Sequence, residues 1–366
     1  MNILIFIVIL ALLVLVHEFG HFIVAKKSGI RVDEFGLGFP PKIFGKKFGE
    51  TEYTLNAIPF GGFVKIYGEN PTDGELDPKQ IACSLAHKSK WIQAAVLAAG
   101  VTFNIIFAWL LISIGLMYGL PTAADTTATG GIRDSHVFIT SVLPNSPAEE
   151  GGLKNGDEIV SVQSGGIVLN QTLTPTEIHN LIVSSTNPIE ITYKRASQTS
   201  KTNITTRTGI IEESPAIGIS MDLVGISTEK LPIHKAFIHG AVMTWQLLKM
   251  IATHIVYFLY ESVSGHADLS QVSGPIGMIS MVGDQRELGF AYLIFFTALL
   301  SINLAVINLI PFPALDGGRL FILLIEAIKR SPLKPKFVNA LNITGFTLLI
   351  ILMLVVTGHD ILIKLF

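Results

Sequence analysis

Long apolar stretches alternate with polar stretches along the chain, and four of the apolar stretches are long enough to cross a lipid bilayer. A membrane-spanning helix needs about 20 consecutive apolar residues. The four predicted spans are residues 2–25, 91–118, 290–311 and 341–358. The first has no basic segment before it and no small-residue cleavage site after it, so we interpret it as a retained span and not as a signal peptide.

A fifth apolar stretch, residues 234–260, is interrupted by polar side chains. These are His234, Lys235, His239, Gln246, Lys249 and His254. Apolar residues recur between them at helical spacing, which is typical of an amphipathic helix that lies in the membrane interface. We therefore expect an interfacial helix here, and a fifth crossing is the alternative.

The composition supports a membrane protein. Of the 366 residues, 49% are hydrophobic and 15% are charged, whereas soluble domains have about 25% charged residues. The mean hydropathy is +0.55. The net charge of −2 says nothing about nucleic acid, and the chain has no basic block that would suggest such a partner, so none is expected. The single cysteine, Cys83, excludes an internal disulfide and a thiolate cluster, and we expect it to be a structural thiol.

Two clusters of basic residues predict which loops face the cytoplasm. The first follows the first span and contains Lys26, Lys27, Arg31, Lys42, Lys46 and Lys47. The second follows the third span and contains Lys329, Arg330, Lys334 and Lys336. Because cytoplasmic loops carry an excess of Lys and Arg, both loops are predicted to be inside and both termini outside. A crossing by residues 234–260 would put the second cluster outside, so the interfacial position is preferred.

Residues 120–230 have the pattern of a soluble α+β domain outside the cytoplasm. The segments "VFITSV", "EIVSV" and "IEITYK" alternate like strands, and "SPAEEG" and "TPTEIHNLI" begin with Ser or Thr before Pro, as helices often do. This domain separates a first membrane half, residues 1–119, from an interfacial region, residues 231–289, and a second membrane half, residues 290–366.

Three ionisable residues lie inside the first predicted span, in the segment "HEFGH". An acid at the bilayer centre costs about 2.5–3.5 kcal/mol, so a role is expected for them. His17 and His21 are four residues apart and share one helix face, from which both imidazoles reach one zinc ion. Glu18 lies beside the metal, where it takes a proton from water held by zinc. The alternative is a chance match in which the histidines support core packing, but the cost of burial favours the metal site.

A catalytic zinc ion needs a third protein ligand and an open fourth position. Asp316 is the only acid in "NLAVINLIPFPALDGGRL", at the cytoplasmic end of the third predicted span, and the prolines there break the helix so that the chain can turn inward. The weaker candidates are Glu326, Asp284 and Glu287. An ordinary turn at "PALDGG" is the structural alternative.

With these motifs, the sequence resembles the site-2 protease family of intramembrane zinc metalloproteases, in particular the bacterial regulator-of-sigma-E type. The matching pieces are "HEFGH", "NLIPFPALDGG" and a PDZ-like run, "VFITSVLPNSPAEEGGLKNGDEIVSV", between the second and third spans. The resemblance covers essentially the whole chain. It implies that Asp316, the aspartate of the LDG motif, is the third zinc ligand. It also implies a multi-pass protein of the bacterial cytoplasmic (inner) membrane.

Two further motifs resemble substrate-binding elements of that family. "GVTFN" is similar to the family's G-x-x-x-N, which implies that Asn104 helps to hold the substrate; a helix–helix hydrogen bond is the alternative. Asn308, like Asn303, allows the same two interpretations. "YTLNAIPFGGFVKIYGE" is similar to the family's membrane re-entrant β-hairpin, about residues 51–68. The predicted substrate-binding residues of this hairpin are Gly61, Gly62, Phe63 and Val64.

The hairpin has a physical rationale, because a substrate helix must unwind before cleavage and its freed backbone groups then need new partners in lipid. A strand edge supplies such partners. An ordinary cytoplasmic hairpin is the alternative. "FGLGFPPK" departs from the family's usual F-x-x-G-F-G-P pattern, since Pro40 stands at a glycine position.

The predicted fold is therefore a polytopic α-helical membrane protein of about four transmembrane helices, with a re-entrant β-hairpin and one inserted extracytoplasmic PDZ domain. The predicted function is zinc-dependent cleavage of transmembrane segments, with remnant signal peptides and pre-trimmed anti-sigma factors as expected substrates. The expected partners are the substrate, membrane lipid and any activating protein that the PDZ domain contacts. The rival hypotheses are a PDZ scaffold with a dead metal site and a membrane-anchored zincin that cuts soluble chains.

Overall fold

The computed structural model describes residues 1–69, 81–119, 121–123, 135–170, 173–185, 187–195, 198–211, 214–226, 230–264 and 274–365. The chain divides into two compact units. The first contains Met1–Ser113, Phe237–Gly283 and Ile294–Phe366, and the second contains Ile114–Ala236 and Asp284–Leu293.

The helices, in chain order, are α1 (Asn2–Lys27), α2 (Lys90–Tyr118), α3 (Pro147–Glu150), α4 (Pro175–Ser184), α5 (Ile233–Val263), α6 (Pro275–Leu288), α7 (Phe290–Leu309), α8 (Asp316–Lys329) and α9 (Pro335–Leu365). The strands are β1 (Val32–Phe48), β2 (Thr51–Ile66), β3 (Pro121–Ala123), β4 (Ser135–Val142), β5 (Glu158–Ser164), β6 (Ile167–Leu169), β7 (Ile189–Arg195), β8 (Gln198–Ile204), β9 (Arg207–Ile211), β10 (Ser214–Ala216) and β11 (Ile219–Ile226). Two single 3₁₀ turns, Ile81–Cys83 and Leu85–His87, precede α2.

Among the described residues, five helices are long and apolar enough to cross a membrane, judged by length and composition: α1, α2, α5, α7 and α9. Four of them have peak mean hydropathies of 2.2–2.8, whereas that of α5 is 1.3. Length and composition thus admit one crossing more than the four predicted. The extra candidate is the helix that the sequence predicts to be interfacial.

The first unit contains a small core where α1 and α2 meet the strands β1 and β2. Its buried members are Ala25, Ile30, Val32, Ile66, Leu85 and Val96. Burial of this apolar surface holds the strand pair against the two helices, at about 25 cal/mol per Å² of apolar surface removed from water. Because Ala25 is two turns from His17 on the same helix, this core also fixes the position of the strands near the HEFGH segment.

The strands β1 and β2 form an irregular antiparallel pair. The pairing begins at Val32, whereas the sequence predicts a hairpin over about residues 51–68. The first half of β1 has partners on two stretches of β2, since Phe35 pairs with both Tyr53 and Val64. The two halves of β2 therefore flank the first half of β1. The stretch around Val64 forms one edge of this sheet.

The second unit contains an antiparallel sheet. We call the segment that forms it, residues 121–226, the sheet domain. Its strand order is β3-β11-β4-β5-β7-β8, with β6 paired to β5, and β9 and β10 form a separate pair. The core is built from buried aliphatic side chains of the strands and of α4, including Ile139, Ile159 and Ile178. Ser146 and Thr174 cap α3 and α4, each followed by Pro at the first helical position.

An ion pair between a buried carboxylate and a partly exposed guanidinium stabilises this domain. The carboxylate of Asp157 is fully buried and accepts hydrogen bonds from Arg195 Nε at 2.7 Å, from Arg195 Nη2 at 2.8 Å and from the backbone N–H of Lys154 at 2.8 Å. The hydrogen bond with Asp157 raises the pKa of the Arg195 guanidinium above its usual value. The guanidinium and the backbone N–H always carry the protons that they donate to this carboxylate. The carboxylate therefore stays paired, and the ion pair has a structural role.

Candidate metal centre

Three side chains converge within the first unit. His17 and His21 lie on one face of α1, and Asp316 is the first residue of α8. Asp316 Oδ2 is 2.9 Å from His17 Nε2 and 3.3 Å from His21 Nε2, and the two Nε2 atoms are 3.2 Å apart. This is the one group of three potential metal-ligating side chains found among the described residues.

The size of this triangle fits a zinc ion. Zinc bonds to His nitrogen and carboxylate oxygen of about 2.0–2.1 Å in a tetrahedral site imply ligand atoms about 3.3 Å apart. The observed separations of 2.9–3.3 Å are close to this value. Both histidines are buried, at 7% and 8% exposure, so their lone pairs face the centre of the triangle and not solvent.

The first turn of α8 comes close to the end of α7. A Cβ atom on Gly317 would collide with the carbonyl groups of Leu309 and Ile310. Only glycine permits this approach, which brings the preceding residue, Asp316, to the histidines. The LDGG motif therefore combines a candidate ligand with the backbone that brings it to the histidines.

Glu18 lies beside the triangle, next to the strand β2. The backbone N–H of Val64 lies close to the Glu18 carboxylate. A Cβ atom on Gly62 would lie 3.6 Å from Glu18 Cγ, so the edge of β2 passes directly along this side chain. The arrangement leaves Glu18 outside the set of ligands and fixes it next to them, where a proton acceptor is useful.

The helix α2 supports the two imidazoles from behind. The carbonyl oxygen of Val96 is 2.8 Å from His21 Nδ1, and the side-chain amide of Asn104 is 3.2 Å from His17 Nδ1. Between them, a Cβ atom on Gly100 would lie within 2.7 Å of the His17 ring and would collide with His21. The glycine of the G-x-x-x-N motif thus provides the space that both rings occupy.

The other predicted site residues have different surroundings. Asn104 is fully buried and contacts a histidine, and Asn308 is half-buried in the last turn of α7. The N–H of Val64 lies close to the Glu18 carboxylate. Gly61 has a positive φ of 103° at the bend of β2, and the ring of Phe63 packs over Gly36. A substrate contact by any of these residues stays a prediction.

Glu326, a weaker candidate for the third ligand, is engaged elsewhere. Its Oε2 accepts a hydrogen bond from Lys90 Nζ at 2.6 Å, and its Oε1 accepts one from the backbone N–H of Leu333. The geometry therefore favours Asp316 as the ligand. Two groups that sequence reasoning missed, the N–H of Val64 and the carbonyl of Val96, belong to the backbone and have no signature in residue type.

Comparison with known proteins identifies the family of the chain. The profile of peptidase family M50 matches residues 5–352. The chain belongs to peptidase family M50. This is the site-2 protease family that the motifs resemble, so the predicted membership is confirmed.

The similar proteins include bacterial proteases matched along nearly their full length. A protein of Clostridium perfringens named as a zinc metalloprotease is 38% identical over 356 residues, which cover 96% of this chain and 95% of that protein. The regulator of sigma-W protease RasP of Bacillus subtilis is 29% identical over 433 residues, 97% of each chain. The regulator of sigma-E protease RseP of Escherichia coli is 29% identical over 445 residues, 95% of each chain.

Family membership and these names confirm the predicted zinc cofactor and class of enzyme, a zinc metalloprotease. The long apolar helices and the similarity to RasP and RseP indicate a multi-pass inner-membrane protein.

Proposed function

We propose that the protein is an intramembrane endopeptidase that hydrolyses peptide bonds within transmembrane segments of other proteins. The observation that carries this proposal is the depth of the metal site. His17 and His21 lie in the second half of α1, a helix of 26 residues whose best window has a mean hydropathy of 2.8. A metal site at this position meets its substrate in or beside the apolar layer, where a peptide chain is helical.

In this proposal His17, His21 and Asp316 hold the zinc ion. When bound, zinc acts as a Lewis acid and lowers the pKa of water towards 7. Glu18 accepts the proton released during attack on the peptide bond and passes it to the leaving amine. In this proposal the N–H of Val64, which lies close to the Glu18 carboxylate, helps to keep that carboxylate turned towards the centre.

The edge of β2 is proposed to bind the unwound substrate. Because N–H groups alternate between the two edges of a strand, that of Gly62 is directed to the same edge as that of Val64. Gly62 is also close to Glu18, since a Cβ atom there would lie 3.6 Å from Glu18 Cγ. A substrate strand added here would lie alongside the proton acceptor and would satisfy the backbone groups freed by unwinding.

The sheet domain is proposed to be a single PDZ module on the outer side. The alignments with RasP and RseP span 433 and 445 positions, more than the 366 residues of this chain. Those relatives therefore carry residues that have no counterpart in this chain, which supports a single module here. The role proposed for the domain is to exclude substrates with large outer segments or to contact an activating partner.

The substrates proposed are membrane proteins already shortened by another protease. Two relatives are named as regulators of sigma factors, which supports pre-trimmed anti-sigma factors, and remnant signal peptides have the same form. Removal of residues 121–229 should leave cleavage of short substrates intact and admit longer ones. Loss of activity towards the shortest substrate, with zinc still bound, would contradict a filter.

Four spans with both termini outside are proposed, with α5 in the outer interface. Its mean hydropathy of 1.3 supports this, together with exposed Lys235 and Lys249. The native Cys83, exposed in the cytoplasmic loop, and an added Ser264→Cys give an internal pair for labelling. The proposal expects Ser264→Cys to react with an impermeant reagent from outside, and Cys83 from inside. Labelling of both positions from the same side would establish a fifth crossing.

The experiment that tests the function uses the purified protein in lipid vesicles. A designed transmembrane peptide is offered in the same bilayer, and a soluble extended peptide of the same central sequence is offered outside it. The expected result is zinc-dependent cleavage within the transmembrane segment, abolished in Glu18→Gln. Cleavage of the soluble peptide alone would instead identify a membrane-anchored zincin, and no cleavage of either by a zinc-loaded protein would favour a scaffold.

A further inference from the structure

The helix α2 presents three consecutive turns to the metal centre, at Val96, Gly100 and Asn104. These residues are four apart and therefore share one face. Val96 contacts His21, Asn104 contacts His17, and Gly100 leaves room for both rings. Val96 and Asn104 are both fully buried, so each contact is shielded from solvent.

The contact at His21 determines which nitrogen carries the proton. A carbonyl oxygen can only accept, so at 2.8 Å from the Val96 oxygen the Nδ1 atom of His21 must be the donor. The neutral ring then has a free lone pair on Nε2, the atom that faces Asp316. This is the form that binds a metal through Nε2, and such a partner behind the ring raises metal affinity.

To bind a metal through Nε2, His17 also needs its proton on Nδ1. Its partner is the side-chain amide of Asn104, which can present either its nitrogen or its oxygen to the ring. With Asn104 Nδ2 towards His17 Nδ1, at 3.2 Å, the amide donates and the ring proton is forced onto Nε2. That proton would point at Asp316 and block the lone pair needed for zinc. In the same orientation Asn104 Oδ1 is buried without a hydrogen-bond partner among the described residues. Turning the amide by 180° changes neither its position nor its shape.

We propose that Asn104 presents its carbonyl oxygen to His17 Nδ1–H and is the positioning residue that holds His17 in its metal-binding form. The pair Asn104–His17 then repeats the pair Val96–His21, with a side-chain carbonyl in place of a backbone one. The G-x-x-x-N segment acts as an outer shell of the zinc site, in which Gly100 gives the space and Asn104 the acceptor. This assignment rests on the proposed metal roles of His17 and His21.

The test measures zinc affinity, by competition with a chelator, in three variants of the full-length protein in detergent. Asn104→Leu keeps a similar volume, is well tolerated in a membrane helix and has no acceptor, so zinc affinity should fall about 10- to 100-fold. Asn104→Asp can only accept, and it should retain about the parent affinity. The absorption spectrum of the cobalt-loaded protein should change in Asn104→Leu and remain like the parent in Asn104→Asp.

A matched control is available at the same point of α2. Ser301 Oγ of α7 donates a hydrogen bond of 2.8 Å to the backbone carbonyl of Asn104, so Ser301→Ala disturbs the local packing without touching His17. Its zinc affinity should remain that of the parent. Unchanged affinity in Asn104→Leu, or an equal loss in Asn104→Leu and Ser301→Ala, would overturn the assignment. Failure of His17→Ala to lose zinc would instead overturn the proposed metal site itself.

Discussion

Two aspartates, the buried Asp157 of one unit and the half-buried Asp316 of the other, show how the surroundings of a carboxylate distinguish a candidate ligand from a structural group. Asp157 of the sheet domain meets a guanidinium with two of its donors and one backbone N–H. Asp316 meets two imidazole nitrogens, 2.9 and 3.3 Å away, and each of these is itself a metal-binding atom. A carboxylate saturated by permanent donors stabilises its fold, whereas one facing other lone-pair donors is suited to a cation.

The largest effect is expected at the histidines. His17→Ala and His21→Ala each remove one of three ligands, so zinc and peptidase activity should be lost together. The sheet domain should remain folded, because its core contains neither residue. Metal analysis, cleavage of a transmembrane peptide and hydrogen exchange across β4–β8 check this. A histidine variant with full zinc occupancy would remove that residue from the site.

The second-largest effect is expected when Asp316 and Asp157 are compared for their influence on zinc affinity. Asp316→Asn replaces an anionic ligand with a neutral amide, so zinc affinity should fall by more than the about 10- to 100-fold expected for an outer-shell change. Asp157→Asn is the matched control and should leave zinc affinity unchanged. Chelator competition on both variants provides the measurement. Equal affinities in the two would move the third ligand away from Asp316.

The same two aspartates should show the opposite order when the stability of the sheet domain is measured, with the larger loss in Asp157→Asn. Asp157→Asn loses the charge that Arg195 pairs with, and because Arg195 is 41% exposed, the expected loss is about 1–3 kcal/mol in the sheet domain. Hydrogen exchange of β7 in the full-length protein should report it. If exchange there is unaffected in Asp157→Asn, the ion pair is a surface contact without structural weight.

A smaller effect is expected at the strand edge. Gly62→Ala and Gly62→Pro both add a Cβ atom near Glu18, but only proline removes the N–H that a substrate strand would use. Cleavage by the proline variant should be lower by about fivefold, corresponding to about 1 kcal/mol for one hydrogen bond. The two variants should bind zinc equally. Equal cleavage rates would show that this edge does not bind the substrate through Gly62.

Sequence reasoning could propose site residues where side-chain chemistry and periodicity carry the information. The spacing of His17 and His21 follows from the helix repeat, and the cost of burying them in an apolar helix indicates a metal. Asp316 could be proposed because it is the only acid in its segment. The G-x-x-x-N motif was recognised, but the role proposed for Asn104 changed once its neighbour His17 was known.

The remaining features depend on backbone groups and irregular strands. The N–H of Val64 and the carbonyl of Val96 act at the site, yet any residue type would supply them. The first strand, β1, was missed because "VDEFGLGFPPKIFGKKF" contains glycines and prolines that interrupt the alternation expected of a strand. Its pairing with two stretches of β2 is a long-range choice that local pattern does not encode.

The most direct test of the account is the zinc content and activity of Glu18→Gln. Glu18 is assigned as the proton acceptor beside the metal and not as a ligand. The variant should therefore bind one zinc ion per chain with the parent affinity and fail to cleave a transmembrane peptide, with a rate lower by about 10²–10⁴-fold. Cleavage at a rate near that of the parent, or loss of zinc from the variant, would contradict the assignment.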